Sequence, residues 1–280
     1  MKKTRFSRIY VEITNCCNLR CAFCPGTRRP LRFLAPSDFA RMASQLKEYT
    51  DYVYLHVMGE PLLHPALREI LDLCDANGLR ACVTTNGTLL PTAGETLRHR
   101  AVHKVSISLH SMEGNGRTCL EEYLEGVWDF CRRGEMIRCL RLWNLGGADR
   151  RNGEILTFLR NKLGRNPLGE SGVWPGVWVL GERLFLEQAE RFEWPDLQAA
   201  EAGVEFCQGL RTQAAVLVDG TVVPCCLDHE GDIPLGNLLE QPLAEILAGP
   251  RARAVYEGFS QRRPTEELCR RCGYATRFNR

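Results

Sequence analysis

TNCCNLRCAFCPG, residues 14–26, places Cys16, Cys17, Cys21 and Cys24 within nine positions. Three chemistries compete for such a stretch. It can be a four-thiolate zinc site, a disulfide cluster, or three ligands of an iron–sulfur cluster beside a bystander. A closed four-ligand site is structural, whereas a three-ligand site leaves the metal open to react. The flanking sequence decides between them.

Immediately before the loop, residues 8–14 (RIYVEIT) alternate like a strand. After it, residues 36–49 have helical periodicity, with Ser37 expected as N-cap. The pattern then repeats. Strands are expected at 51–57, 79–85, 103–109 and 136–143, with helices at 64–78, 120–134 and 153–164 and a short one near 92–100. Asn77-Gly78 and Asn86-Gly87 supply stops. Strands that alternate with helices form a parallel sheet, because parallel neighbours need crossover connections. The expected fold class is therefore α/β, an open or partial βα barrel whose chemistry sits at the C-terminal ends of the strands. The cysteine loop, MGEP (58–61), TNG (85–87) and HSMEGNGR (110–117) all fall at that end. After about residue 165 the alternation breaks. The tryptophan-rich segment with Trp174, Trp178 and Trp194 is expected to mix a last barrel strand with irregular structure. AAVLVDGTVVPC (214–225) then reads as a hairpin about Asp219-Gly220.

At 280 residues, 44% hydrophobic and 25% charged, the chain fits a soluble globular protein with one large core and a small appendage. A net charge of +2 predicts no long-range attraction to nucleic acid or anionic membrane. The basic start lacks an apolar signal-peptide core, and no apolar run approaches the ~20 residues of a membrane helix. A cytoplasmic location is expected. Fourteen cysteines are then too many for disulfides in a reducing compartment, so the clustered ones point to metal. The scattered set of Cys74, Cys82, Cys119, Cys131 and Cys139 reads as small buried apolar side chains.

Cys17, Cys21 and Cys24 form C-x3-C-x2-C. Thiolates suit soft metals, and short cysteine loops wrap 4Fe-4S clusters. Three ligands on a cubane leave one iron free, and adjacent Cys16 and Cys17 are poorly placed to share one tetrahedral zinc. The loop, with Phe23 before its last cysteine, resembles that of the radical S-adenosylmethionine (SAM) superfamily. MGEPLLHP, TNG and SISL fall in the same order and spacing as that family's motifs. The resemblance implies a partial (β/α)6 barrel, a SAM-binding 4Fe-4S cluster on Cys17, Cys21 and Cys24, and S-adenosyl-L-methionine on its free iron. It implies reductive cleavage to a 5′-deoxyadenosyl radical that abstracts a substrate hydrogen. A low-potential electron donor such as flavodoxin or ferredoxin is implied as partner. Carried over by position, Gly59 and Glu60 meet the methionine amino group, Ser106 and Ser108 the ribose, and Arg117 the carboxylate. Asn86 and Asn144 are further contacts. Met58 stands where the family has a glycine.

Cys207, Cys225, Cys269 and Cys272 fit a second site, with a zinc ribbon as the alternative. FCQGLRTQAAVLVDGTVVPCCLDHEGDIPLGN, ending in LCRRCGY, resembles the SPASM-type extension of radical SAM enzymes. With no cysteine after Cys272, it resembles the shortened, single-cluster twitch version. The implied organisation is a barrel over residues 1–200 and a β-hairpin-plus-helix auxiliary cluster domain over 201–280. Cys225 is preferred over Cys226, which is expected to face the other side of its strand. Four cysteines would ligate a second 4Fe-4S cluster completely, leaving it an electron-transfer role. That favours a two-electron oxidation of a small-molecule substrate. A maturase acting on a peptide docked on the 174–194 segment is the second expectation, and a non-catalytic metal-binding protein the third. His56, His64 and His110 are read as structural, and the arginine-rich tail as a solvated surface.

Overall fold

The computed structural model describes residues 5–112, 119–147, 150–169 and 172–279. Strands and helices alternate as β1 (Arg8–Val11), α1 (Pro36–Leu46), β2 (Tyr52–Tyr54), α2 (Leu67–Ala76), β3 (Arg80–Thr85), α3 (Leu90–Ala93), β4 (Val102–Ser108), α4 (Leu120–Cys131), β5 (Ile137–Leu145) and α5 (Asn152–Leu163). A meander follows, made of β6 (Gly172–Trp174), β7 (Val177–Gly181) and β8 (Leu184–Glu190). The C-terminal part holds β9 (Gln213–Val216), β10 (Thr221–Val223), β11 (Gly236–Asn237), α6 (Leu243–Ala248), α7 (Pro250–Ser260) and α8 (Glu267–Arg270).

All the strands join one eleven-stranded sheet, ordered β11-β10-β9-β1-β2-β3-β4-β5-β8-β7-β6. From β1 through β5 to β8 the neighbours run parallel, giving the six strands of a partial (β/α)6 barrel. The helices cover its outer face with residues at helical spacing. Phe39, Met42, Ala43 and Leu46 of α1, and Ile70, Leu71 and Cys74 of α2, are all fully buried. Each large side chain among them contributes about 1.5–3 kcal/mol of burial energy. Successive strand residues face opposite sides, so Val105 and Ile107 pack under the helices while Lys104, Ser106 and Ser108 face inward.

Three expectations are corrected. The segment expected to be partly irregular forms three strands, with β7 antiparallel to both β6 and β8. Its turns use positive φ at Gly176 and, unexpectedly for a non-glycine, at Arg183. No turn dipeptide of the usual kind marks the second. Helix α1 is capped by Ala35 with Pro36 in its first turn, so Ser37 lies inside the helix. Proline there needs no N–H partner and presets φ. Of the scattered cysteines, Cys74, Cys82, Cys131 and Cys139 are buried, but Cys119 is exposed where α4 begins.

The C-terminal hairpin turns at Gly220, with φ of 90°. It does not stand apart from the barrel. Its first strand β9 pairs parallel with β1, from Arg8↔Gln213 to Val11↔Val216. Among the described residues no helix is long and apolar enough to cross a membrane.

Candidate functional site

The cysteine loop leaves β1 and returns to α1 through a closed neck. Leu34 N–H donates to the Ile13 carbonyl at 2.8 Å. Asn15 donates to the Pro30 carbonyl at 3.0 Å and accepts from Arg32 N–H at 2.9 Å. Under the neck lies Glu12, fully buried between apolar neighbours. Arg29, within the loop, makes a bidentate pair with it at 2.8 and 2.7 Å. Glu12 also accepts from Met58 N–H at 3.1 Å and Val218 N–H at 3.0 Å. One carboxylate thus joins the loop, the turn after β2 and the C-terminal hairpin. A buried ion pair with every lone pair used is the form in which such a pair can persist.

Within the loop, the Cys17 sulfur accepts from Leu19 N–H at 3.4 Å, and Asn86 Nδ2 lies 3.9 Å from it. The Cys21 thiol points at the Ser111 carbonyl, 3.6 Å away. Cys24 N–H donates to the Cys21 carbonyl at 3.0 Å, a tight turn carrying Phe23. Phe23 stacks on His110 with centroids 4.9 Å apart. Cys16 diverges from the others, its thiol directed at the Arg32 carbonyl.

Gly59 sits against this loop with φ of 79°. A Cβ there would stand 2.4 Å from the Thr14 carbonyl oxygen and 2.9 Å from that of Cys16. Only glycine permits that approach. Met58 has no positive φ, which explains why a side chain is accepted at that position. Glu60 is buried, and its carboxylate accepts from Leu62 N–H, Thr85 Oγ1 and Asn86 N–H at 3.0, 2.7 and 2.7 Å. It therefore ties the 58–61 turn to the end of β3. Asn86 reaches Asn18 at 2.9 Å. Ser106 is buried and Ser108 half-buried on the inward face of β4. Asn144 exchanges two hydrogen bonds with Asn152, at 3.1 and 3.0 Å. Arg117 lies outside the described residues.

The C-terminal thiols come from three separate segments. Cys207 precedes β9, Cys225 follows β10, and Cys269 and Cys272 belong to α8 and the turn after it. Burial raises the Cys225 thiol pKa well above its ordinary value, with Cys226, Cys207 and Cys269 adding to the rise. Burial, then Cys207 and Cys272, raise Cys269. Cys272 is raised to about 11 by burial, with Cys207 contributing. Cys207 is thus in electrostatic contact with all three partners. Cys226 differs. Burial raises it to about 11 and Cys207 adds to the rise, but its hydrogen-bond partner is Tyr10 and Arg8 lies beside it. Both cysteines lie in a turn beyond β10, so this divergence comes from the turn rather than from strand alternation.

Thiols that oppose one another's ionisation need a cation to become thiolates, and sulfur selects soft metals. Among the described residues, no three His, Cys, Asp or Glu side chains converge as they would on a single ion. A cubane spreads its thiolates over the corners of a cube, which asks for sulfurs spread apart rather than converged on one point.

A cavity of about 540 Å³ is walled by both parts of the chain. The cysteine loop contributes Phe23 to its wall, and the C-terminal part Gln208, Cys226 and Tyr274. His56 lines it too, with Nδ1 buried and without a hydrogen-bond partner. Burial, helped by Arg141, lowers its pKa to about 3, so the imidazole is neutral. His64 is structural: Nε2 meets the Leu34 carbonyl at 2.9 Å and Nδ1 accepts from Ala66 N–H at 3.1 Å. His110 bonds the Arg141 carbonyl at 3.1 Å while also lining the cavity.

Residues 11–138 match the model of the Radical SAM superfamily, and residues 207–273 that of the SPASM iron-sulfur cluster-binding domain. The chain belongs to the radical SAM superfamily and carries a C-terminal SPASM-type domain. A 4Fe-4S cluster and SAM are the cofactors of the first, and auxiliary iron–sulfur clusters those of the second. The chain is 27% identical over 197 residues to a GTP 3',8-cyclase of Alkaliphilus oremlandii. That alignment covers 61% of this chain and 59% of the relative, so the chain spans less than two thirds of the relative's length. Its fold is similar to that of BtrN, seen in complex with AdoMet and 2-DOIA, at a TM-score of 0.60 and 18% identity over 96% of this chain and 94% of that one. It is also similar to anSMEcpe with bound AdoMet and Cp18Cys peptide, at a TM-score of 0.58 and 14% identity over 95% and 86% of the two chains.

Sequence reasoning missed Glu12 with Arg29, and it set His56 aside. Both left a signal. Glu12 interrupts an apolar strand, and His56 is in phase with the inward-facing Tyr54 along YLHV.

Proposed function

We propose that the chain is a radical SAM oxidoreductase that removes two electrons from a small-molecule substrate held in the barrel cavity. One observation carries the reading: a single cavity is walled both by Phe23 of the cysteine loop and by Gln208, Cys226 and Tyr274 of the C-terminal part. When bound, the first cluster with SAM supplies a 5′-deoxyadenosyl radical that takes a substrate hydrogen, and the second supplies an acceptor for the remaining electron. In this proposal Cys17, Cys21 and Cys24 hold the first cluster, with Cys16 excluded by its turn toward Arg32. Cys207, Cys225, Cys269 and Cys272 hold the second. Residues 1–200 form the barrel part and 201–280 the auxiliary part.

The remaining roles follow from which polar groups are already engaged. The Glu60 carboxylate is held by Leu62, Thr85 and Asn86, so its task is to shape the 58–61 turn, whose backbone meets the methionine amino group. Asn144 is held by Asn152 and braces the end of β5. Ser106, Ser108 and Phe23 face the adenosyl moiety, Asn86 steadies Cys17, and Arg117 meets the SAM carboxylate. A flavodoxin- or ferredoxin-like protein supplies the electrons.

Peptide modification is the second reading. It is favoured by the exposed Trp174 on edge strand β6, 71% accessible, where an extended segment could add to the sheet. Anaerobic reconstitution with iron and sulfide, reduction by dithionite and addition of SAM test the main reading. 5′-Deoxyadenosine is the expected product, and its complete absence would overturn the radical mechanism. Recovery of an oxidised small molecule separates oxidation from peptide modification.

A further inference from the structure

We propose that the barrel cavity selects a small organic anion, a molecule bearing phosphate or carboxylate, and that Arg8 holds its charge. This rests on reading the cavity as the substrate site. The charged side chains on its wall are Arg8, Lys104, Arg141 and Arg191, against the carboxylate of Glu187.

Their pairing is unequal. Lys104 and Arg141 share Glu187, at 3.0 and 3.2 Å. Burial alone would raise the Glu187 pKa, but Arg141 and Lys104 bring it below its ordinary value, so it stays ionised. Arg191 has Glu193 at 3.8 Å. Arg8 has no carboxylate within ion-pair distance among the described residues. Its neighbours are the Tyr54 ring, 5.5 Å from the guanidinium carbon, Tyr10 and Cys226. Burial above all holds the Tyr10 phenol well above its ordinary pKa, so it brings no negative charge to the guanidinium.

A half-buried guanidinium costs free energy unless an anion meets it, and aromatic faces offset only part of that cost. Among the described residues no carboxylate meets Arg8, so the ligand supplies the anion. The guanidinium fork matches the paired oxygens of phosphate or carboxylate. Tyr10, Tyr54 and Trp194 offer apolar walls for the organic part. Arg8 opens β1, at the strand end opposite the cysteine loop, so the charge it holds belongs to the substrate rather than to a molecule seated on that loop.

The test is calorimetric titration of the reconstituted protein, with SAM present, by inorganic phosphate, succinate and neutral myo-inositol. At least one anion is expected to bind more tightly than inositol. Preference for phosphate or for succinate assigns the oxyanion. Arg8→Gln is expected to weaken that anion by about 10- to 100-fold. Arg8→Lys, which keeps the charge but loses the fork, should fall between. Arg165→Gln, at a residue that bonds the Val179 and Leu180 carbonyls, should match wild type. Neither anion exceeding inositol would overturn the inference, as would wild-type affinity in Arg8→Gln. If Arg8→Gln does not fold, the wild-type comparison decides alone. 5′-Deoxyadenosine is measured in the same preparation. Its absence strikes the radical mechanism, whereas its presence without anion selectivity strikes only this inference.

Discussion

The two cysteine sets are built in opposite ways. The first comes from one loop, with Cys17 and Cys24 exposed and Cys21 half-buried. The second is gathered from three segments spread over more than sixty residues and is more enclosed, with Cys272 buried and the others half-buried. A local loop can open one corner of its cluster to a ligand. A set closed by tertiary structure is suited to holding a cluster away from everything except electrons. Location along the chain therefore sorts the two sites by task.

The sharpest way to break this contrast is Cys17→Ala. It is expected to abolish 5′-deoxyadenosine formation while leaving the second set loaded; turnover at the wild-type rate would mean the wrong loop was assigned. Next, Cys225→Ala should remove about four irons per chain, whereas Cys226→Ala should remove none. Iron and sulfide analysis with Mössbauer spectra reads this directly, and the reverse result would exchange the two assignments. Glu12 bridges the halves, so Glu12→Gln is expected to cost about 3–5 kcal/mol by stranding the Arg29 guanidinium. Denaturant melts of the cluster-free chain measure it, and a change under 1 kcal/mol would show the bridge to be dispensable. Gly59→Ala forces a side chain into positive φ against the Thr14 carbonyl and should cost about 1–3 kcal/mol, with poorer loading of the first cluster than of the second.

The smallest effect concerns pH. His56 has a folded pKa of about 3 against an ordinary value of 6.5, so the folded state disfavours its protonation. Its contribution is complete above pH 6.5 and is lost as pH falls toward 3. Between pH 6.5 and 5 wild type should lose about 1.6 kcal/mol more than His56→Asn. Parallel pH profiles of the two proteins would remove His56 from the cavity's electrostatics.

Much of this was legible in the sequence because it is local. C-x3-C-x2-C, the strand–helix alternation and the Asp219-Gly220 turn are short-range patterns whose spacing carries the geometry. The edge pairing of β1 with β9 was not legible, because strands of this kind advertise their inward and outward faces but not their neighbours. The meander from β6 to β8 was hidden by a turn at Arg183 that lacks the usual residues. Glu12 and Arg8 escaped notice for a related reason. A charge in a strand shows that something must answer it, while the answer comes from Arg29 seventeen residues on, from Val218 across the chain, or, for Arg8, from no carboxylate among the described residues.

The pairing of β1 with β9 also bears on how the protein is made. A ribosome that has released the first hundred residues has already delivered the cysteine loop and the MGEP turn. At that moment β1 still shows a bare edge, and Glu12 still lacks the N–H of Val218. Both are completed only when the last quarter of the chain emerges. Until then the nascent barrel carries an unpaired strand open to other nascent chains, a hazard that falls to chaperones. The neck itself, closed between residues 13 and 34, needs nothing from that last quarter except the Val218 N–H beneath it.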